Sequence, residues 1–439
     1  MNRIVTIITN VCRALLALTF IFSGYVKAID PLGTQYKIND YLAALSMADT
    51  LPGWVTLTVA VLLAALEFSM GVFMLCAIRR RLATRVTLIF MTIMTLITVW
   101  IAVANPVKDC GCFGDVVVLT NGQTLAKNIV LLACSVMVCC YPRRMFRFVS
   151  ESNQWIAVNF TVLYIIATSL YNLYTLPQFD FRPYHIGANI RQGMTVPPGA
   201  KLPQYDTTFI MEKNGVRREF TLANYPDSTW TFVDRRTVQT SEGYVPPIHD
   251  FAIQDNRTGD DITQQILSDP GYTFLLIAPH LETADDSNFG DIDQLYEYSQ
   301  SQRIPFYCLT ASGDEGIQRW RDITGAEYPF CTSDETTLKT IIRSNPGLVL
   351  LKDGVVIGKW SHNQLPQASE LTAPLGQLEI GHLPSASYTP RKILAILLWF
   401  VLPLGLLILA DRTWAWSRWL RDKEKEQKSK YFNFKNKKQ

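Results

Sequence analysis

The sequence predicts a multi-pass α-helical membrane protein that carries one large external α/β domain. Three observations predict it. Six apolar stretches, roughly 7–29, 55–78, 82–104, 125–141, 155–175 and 391–410, approach or exceed the ~20 residues that cross a bilayer as a helix. Basic residues gather in alternate loops. The ~215 residues between the fifth and sixth stretches have soluble composition and alternate strand with helix. Charged residues are 18% of the chain, below the ~25% usual for soluble proteins. The net charge of +3 over 439 residues gives no reason to expect nucleic-acid binding.

The first stretch could instead be a cleaved signal peptide, since Val26 and Ala28 have small-residue spacing. It is too long for that, Arg13 interrupts it, and cleavage would spoil the charge alternation. Short loops rich in Lys and Arg stay in the cytoplasm. Arg79, Arg80, Arg81 and Arg85 make one such loop, and the run PRRMFR at 142–147 makes another. The tail from Arg412 onward carries ten Lys and Arg. Loops 30–54 and 105–124 are poor in basic residues. The implied location is a bacterial inner membrane with both termini cytoplasmic and the large domain periplasmic, where disulfides persist.

Glu67 lies in the middle of the second span, where an unpaired ionisable group costs at least ~2.5 kcal/mol. It is read either as a protonated acid bonded to a neighbouring helix or as a functional group. Thr84, Thr87, Thr95 and Thr98 fall on one face of the third span and are its candidate partners, although packing explains that stripe better than chemistry does. Lys27, near the outer end of the first span, is expected to snorkel to the headgroups, with pairing to an acid in the outer loops as the alternative. Cys12, Cys76, Cys139 and Cys140 read as small apolar helix residues.

Cys110 and Cys112 are different. They stand in 109-DCGCFGD-115, an outer loop, and are the only closely spaced external cysteines. A tight turn built on Gly111 and Gly114, a metal grip and a redox pair are all open. Zinc takes four ligands, or three plus water, and only Asp109 and Asp115 stand beside the thiols. No metal and no cofactor is expected. A CxC disulfide closes a small ring, and strained exposed disulfides are the labile, oxidising ones.

In the external region, Asn214-Gly215 between two alternating segments signals a hairpin within a β-rich lead-in, 176–247. From 248 onward the order is strand, helix, strand, helix, strand, helix, then two strands joined at Asp353-Gly354. Cys308 and Cys331 sit in two strand-like segments that could be sheet neighbours. They are free buried thiols or a thiol pair able to bridge, which requires Cα atoms within ~7 Å.

Two resemblances follow from these residues. The stretch FIFSGYVKAIDPLG at 20–33, the second span with Glu67 and Gly71, and the CGCFGD loop resemble the DoxX/MauE-like membrane proteins, in particular the MauE (methylamine utilisation) branch. The likeness covers 1–145 and implies a four-helix unit, with 146–175 and 391–410 as two further spans. It also implies a redox-associated role beside a periplasmic thioredoxin-like partner. Residues 248–365 resemble a TlpA-type thioredoxin-like domain, in which Pro346 matches the proline that is cis and lies against the active site. The family's WCxxC is absent. The run APHLETADDSN at 278–288 stands there instead, and its His280 and Glu282 are a weak acid/base suggestion beside surface polarity. A linker, 366–390, and a basic cytoplasmic tail, 411–439, complete the division.

The leading expectation is a membrane component of periplasmic thiol–disulfide exchange. Cys110 and Cys112 would act on a thioredoxin-like protein or thiol client, and the redox-dead domain would dock it. The alternatives are a non-enzymatic protein whose domain binds an envelope partner, and small-molecule or ion transport around Glu67.

Overall fold

Lipid offers backbone groups no hydrogen-bond partner, so apolar segments that cross it satisfy their N–H groups within the segment, as helices. In the computed structural model the stretches fold as α1 (Asn2–Ile29), α3 (Gly53–Cys76), α4 (Arg80–Ala104), α5 (Asn121–Cys140) and α6 (Gln154–Tyr174), with α2 (Pro31–Ala44) between the first two. A long C-terminal helix runs from Tyr388 to Asn436. The structure describes the chain except residues 1, 48–49, 106, 108–109, 214–215, 222–223, 225, 227–228, 242, 386–387 and 437–439. Among the described residues, six helices are long and apolar enough to cross a membrane. The chain divides into two units, Met1–Phe181 with Pro384–Gln439, and Arg182–Leu383.

In the first unit, two glycines set the closest helix approach. A Cβ on Gly24 of α1 would stand 2.3 Å from the Phe68 backbone nitrogen on α3. One on Gly71 of α3 would stand 2.6 Å from the Ile21 nitrogen on α1. These two helices therefore meet backbone to backbone. α2 departs from the loop expected over 30–54. Pro31 opens it, and the Asp30 carboxylate caps it by accepting from the Gly33 N–H. Its only buried residues are Pro31 and Gln35, so no apolar stripe announced it. Gln35 ties it to α3 by donating to Gly53 O at 2.8 Å. α5 opens on a capping box formed by Thr120 and Gln123.

The basic loops come together at one end of this unit. Asn10 donates to Arg144 O, Arg13 to Phe146 O, and the Arg79 N–H to Gln154 Oε1. Asp411 of the C-terminal helix accepts from the Ser150 N–H and from Asn153 Nδ2. The residues past 410 are therefore not a separate tail but a helical continuation of the last span.

In the second unit, β1 (Gln204–Lys213), β2 (Val216–Thr221) and β3 (Thr231–Ser241) form an antiparallel sheet in the order β2-β1-β3. The Asn214-Gly215 turn lies outside the described residues. The larger sheet contains β4 (Gln254–Asp255), β5 (Tyr272–Ile277), β6 (Phe306–Thr310), β7 (Phe330–Thr332), β8 (Gly347–Lys352) and β9 (Val355–Ser361). Its order is β4-β7-β6-β5-β8-β9. The three inner strands β5, β6 and β7 are parallel, and β8 and β9 run antiparallel beside β5. Parallel strands need helical crossovers, and Phe289–Ser301 and Asp314–Thr324 supply them. Leu295, Trp320, Tyr328 and Leu348 are among the core residues, with Trp320 Nε1 donating to the Tyr328 hydroxyl at 2.9 Å.

Two sequence readings change here. Leu371 and Leu375 belong to that core, and Tyr298 and Tyr272 donate to the carbonyls of Ala373 and Gly381. The segment to Leu383 is thus part of the domain and not a linker. Cys308 lies opposite Phe330, while Cys331 lies opposite Leu309. Neighbouring residues on a strand face opposite ways, so the two thiols point to opposite faces of the sheet and cannot bridge. Both are free and buried, and burial pushes the Cys331 thiol up to about 12.

The α1–α3 contact gives a direct test. Gly24→Val should destabilise the full chain by more than the ~1–3 kcal/mol typical of overpacking, because the clash is with backbone, and should be read as a lowered thermal midpoint in detergent. Gly122→Ala, whose Cβ meets nothing within 4 Å, should leave the midpoint unchanged or slightly raised.

Candidate functional site

Ser23 and Lys27 are four residues apart on α1 and so share a face. The Gly24 contact brings α3 against that face and Glu67 into reach. Lys27 Nζ lies 2.8 Å from Glu67 Oε2, 2.8 Å from Ser23 Oγ and 2.7 Å from the Cys112 carbonyl oxygen. All three ammonium protons are used. Ser23 Oγ lies 2.7 Å from both Glu67 Oε2 and Cys112 O, so its one proton serves two acceptors. The Lys27 and Glu67 side chains are only 8% and 6% exposed. Such a pair is costly to desolvate, and this one is retained with its donors satisfied.

The loop above it is shaped by glycine. Gly111 and Gly114 have φ of +63° and +54°, and the turn closes by the Gly114 N–H donating to Gly111 O at 3.1 Å. A side chain at Gly114 would also press on Val26 at 3.0 Å. Tyr41 of α2 donates to the Cys110 carbonyl at 2.7 Å. Phe113 packs against Phe22, and Lys127 Nζ stands 4.2 Å over its ring. Both cysteine carbonyls are therefore gripped, Cys110 by α2 and Cys112 by α1.

The two sulfurs lie 2.6 Å apart. Both cysteines are free thiols here. Donation from Cys110 holds the Cys112 thiol down, to about 6, with Lys127 and Lys27 adding to it against the cost of burial. The same bond and burial push Cys110 up. The pair is thus unequal, with Cys112 the thiol that ionises more readily and Cys110 the one that keeps its proton longer. Asp109 lies outside the described residues. Among the described residues, no cluster of three or more His, Cys, Asp or Glu side chains could hold a metal.

The sequence-predicted residues separate clearly. Cys110, Cys112, Glu67 and Lys27 come together. Lys27 does not snorkel to headgroups; it turns inward because Glu67 offers a charge-assisted bond at close range. The partners of Glu67 come from α1 and not from the threonines of α4. Thr84, Thr95 and Thr98 bond their own helix, as Thr95 does to Met91 O, and Thr98 Oγ1 also accepts from Asn128 of α5 at 3.3 Å, while the buried Thr87 hydroxyl has no hydrogen-bond partner among the described residues. Ser23, Tyr41 and Lys127 were missed. The Ser23–Lys27 spacing was readable, but Tyr41 and Lys127 become neighbours of the loop only through folding.

In the second unit, a short turn, Leu281–Thr283, follows β5 and carries no cysteine. His280 pairs with Glu335 at 2.9 Å, and Glu282 accepts from Ser312 Oγ at 2.6 Å. The two are not an acid/base couple. The Asn345-Pro346 peptide is cis, and Asn345 Nδ2 donates to His280 O at 2.8 Å. Pro346 therefore follows a residue fixed against this turn.

Removing one member of a buried pair leaves the other uncompensated, at ~3–5 kcal/mol. Glu67→Gln should therefore lower the thermal midpoint of the full chain strongly. Adding Lys27→Met to Glu67→Gln should recover at least half of that loss while still freeing the Cys112 carbonyl. An unchanged midpoint for Glu67→Gln would show that the pair carries no net coupling.

Comparison with known proteins was made against families, curated proteins and solved structures. No curated protein matches the chain. The solution structure of a candidate protein disulfide isomerase from Bacteroides thetaiotaomicron matches 26% of this chain and 76% of its own length, at 14% identity and a TM-score of 0.22. Residues 205–242 match a domain of unknown function, DUF8463. Residues 5–141, which contain Ser23, Lys27, Glu67 and both loop cysteines, match the family of methylamine utilisation protein MauE, so the membrane part of the chain is MauE-like.

Proposed function

We propose that this membrane protein takes part in thiol–disulfide exchange through Cys110 and Cys112. One observation carries the reading: two sulfurs in contact, 2.6 Å apart, on a loop whose backbone is gripped from α1 and α2. A purely structural turn needs the glycines but not two facing thiols. The ion pair under the loop also argues for a holding role for Glu67 over transport, since its carboxylate is already closed by Lys27 and Ser23.

The chemistry balances with a dithiol partner protein. In the oxidised loop, a partner thiolate attacks Cys110 Sγ, the S–S bond breaks, and Cys112 leaves as the thiolate. The lower-pKa thiol is the better leaving group. The partner's second thiolate then attacks the mixed disulfide and expels Cys110. Two electrons pass to the loop, which ends as the dithiol, and the partner ends as a disulfide. A partner disulfide is reduced by a separate route: the Cys112 thiolate attacks it and releases one partner thiolate, and Cys110, once deprotonated, attacks Cys112 Sγ, closing the loop disulfide and releasing the second partner thiolate.

We read 248–365 as thioredoxin-like. Three parallel strands flanked by an antiparallel pair, β8 and β9, support this. Lacking WCxxC, this domain would dock the exchange partner or its client. The gathering of basic residues at one end of the helices supports cytoplasmic termini, with the cysteine loop and the large domain outside, in a periplasm that tolerates disulfides.

Pulse alkylation of the reduced full chain should modify Cys112 before Cys110, with a midpoint near pH 6 against ~8.5 for an ordinary cysteine. After mild oxidation, added glutathione should form an adduct that peptide mapping assigns to Cys110, with Cys112 released. Cys110→Ser with Cys112→Ser should abolish exchange. A loop that never oxidises, or a double variant with full activity in cells, would falsify the redox assignment.

A further inference from the structure

At the far end of α4 and α5 from the cysteine loop is an open cavity of about 460 Å³ lined by basic residues. Arg81 and Arg85 come from the start of α4, and Arg143 and Arg144 come from the turn after α5, with Thr84 and Tyr141 between them. No carboxylate lines it. Arg144 is braced by donating to Thr6 Oγ1 at 3.2 Å and by stacking over Tyr141, while Arg80 fixes the turn by donating to Arg143 O at 3.1 Å. Four arginines lining one cavity repel one another, and a phosphate, with its several acceptor oxygens, relieves that repulsion with charge-assisted bonds.

Two further observations identify the source of the phosphate. The α4 and α5 faces near the cavity carry exposed Leu82, Ile89 and Val136, an apolar track for acyl chains. The C-terminal helix passes this same end, where Asp411 bonds Ser150, and then carries exposed Trp414, Trp416 and Trp419. Arg418 stacks over Trp414 and Lys423 over Trp419. Tryptophan beside basic residues marks the headgroup level of a bilayer. We propose that the Arg81–Arg85–Arg143–Arg144 cavity is a binding site for the headgroup of an anionic phospholipid. Its acyl chains lie along α4 and α5. A choline headgroup is disfavoured, because its cation meets four guanidinium groups. The site is independent of the cysteine chemistry.

The test uses the full chain in detergent, delipidated and re-exposed to phosphatidylglycerol or phosphatidylcholine, with bound lipid counted by native mass spectrometry. The wild type should retain phosphatidylglycerol in preference to phosphatidylcholine. Arg81→Gln with Arg143→Gln should weaken phosphatidylglycerol retention about 25-fold, at about fivefold for each cation, and leave phosphatidylcholine unchanged. Because those charges also bear on insertion, Arg81→Lys with Arg143→Lys is the second variant. It keeps the charge but loses the planar fork, and should weaken retention about threefold. Equal retention of both lipids by the wild type would overturn the proposal, as would wild-type retention by either variant. Inorganic phosphate should not displace the lipid at matched ionic strength; displacement would make this a site for free phosphate and overturn the lipid assignment.

Discussion

A lysine and a glutamate within apolar helices are tolerable only together, and the first unit is organised by that requirement. Lys27 and Glu67 stand on different helices, so their pairing demands that α1 and α3 touch. Gly24 and Gly71 remove the side chains that would prevent it. Once the pair has formed, the ammonium still has hydrogens to place. One goes to Ser23 and one to the carbonyl of Cys112. The cysteine loop is held because it completes the hydrogen bonding of a buried charge. The force that fixes the loop is the cost of leaving Lys27 unsatisfied in a low-dielectric setting.

That arrangement separates holding from reacting. The grips fall on backbone oxygens, from Tyr41 on Cys110 and from Lys27 and Ser23 on Cys112. The sulfurs are left to face each other. The two thiols are also unequal, since one donates to the other and both Lys127 and Lys27 favour the thiolate of Cys112. An unequal pair has a direction of attack built into it. The second unit shows the opposite allocation. Its sheet is complete and its core is closed by Leu371 and Leu375, yet the turn after β5 carries His280 and Glu282 in separate surface contacts and no cysteine.

The two ends of the α4–α5 pair differ in the same physical terms. One end has few basic residues and carries the glycine-shaped loop. The other gathers arginines from two segments around a cavity. Like charges converge there because α4 and α5 pack antiparallel, which brings the start of one and the end of the other to one place. The C-terminal helix is fastened at this end through Asp411 and continues as tryptophan-rich and basic sequence.

Much of this was legible in the sequence. Apolar length set the spans, because a bilayer has one thickness and a helix one rise per residue. Strand and helix order in the α/β domain followed from local periodicity, down to the Asp353-Gly354 turn between β8 and β9. Cys110, Cys112, Glu67 and Lys27 stood out one at a time, as residues out of keeping with their surroundings. What bound them together was not legible. Lys27 has a local neighbour in Ser23, but Glu67 is 40 positions away and Cys112 is 85. Periodicity has no memory over that distance. α2 escaped notice because a helix held by hydrogen bonds rather than an apolar stripe leaves little pattern, and with it went Tyr41. Cys308 and Cys331 read as free buried thiols with a bridge left open, and the register of β6 and β7 closed that option by putting them on opposite faces. Sequence determined which residues were unusual, since burial and charge are properties of single side chains. The tertiary structure alone decided which of them met, since hydrogen bonds form between groups that only folding brings within reach.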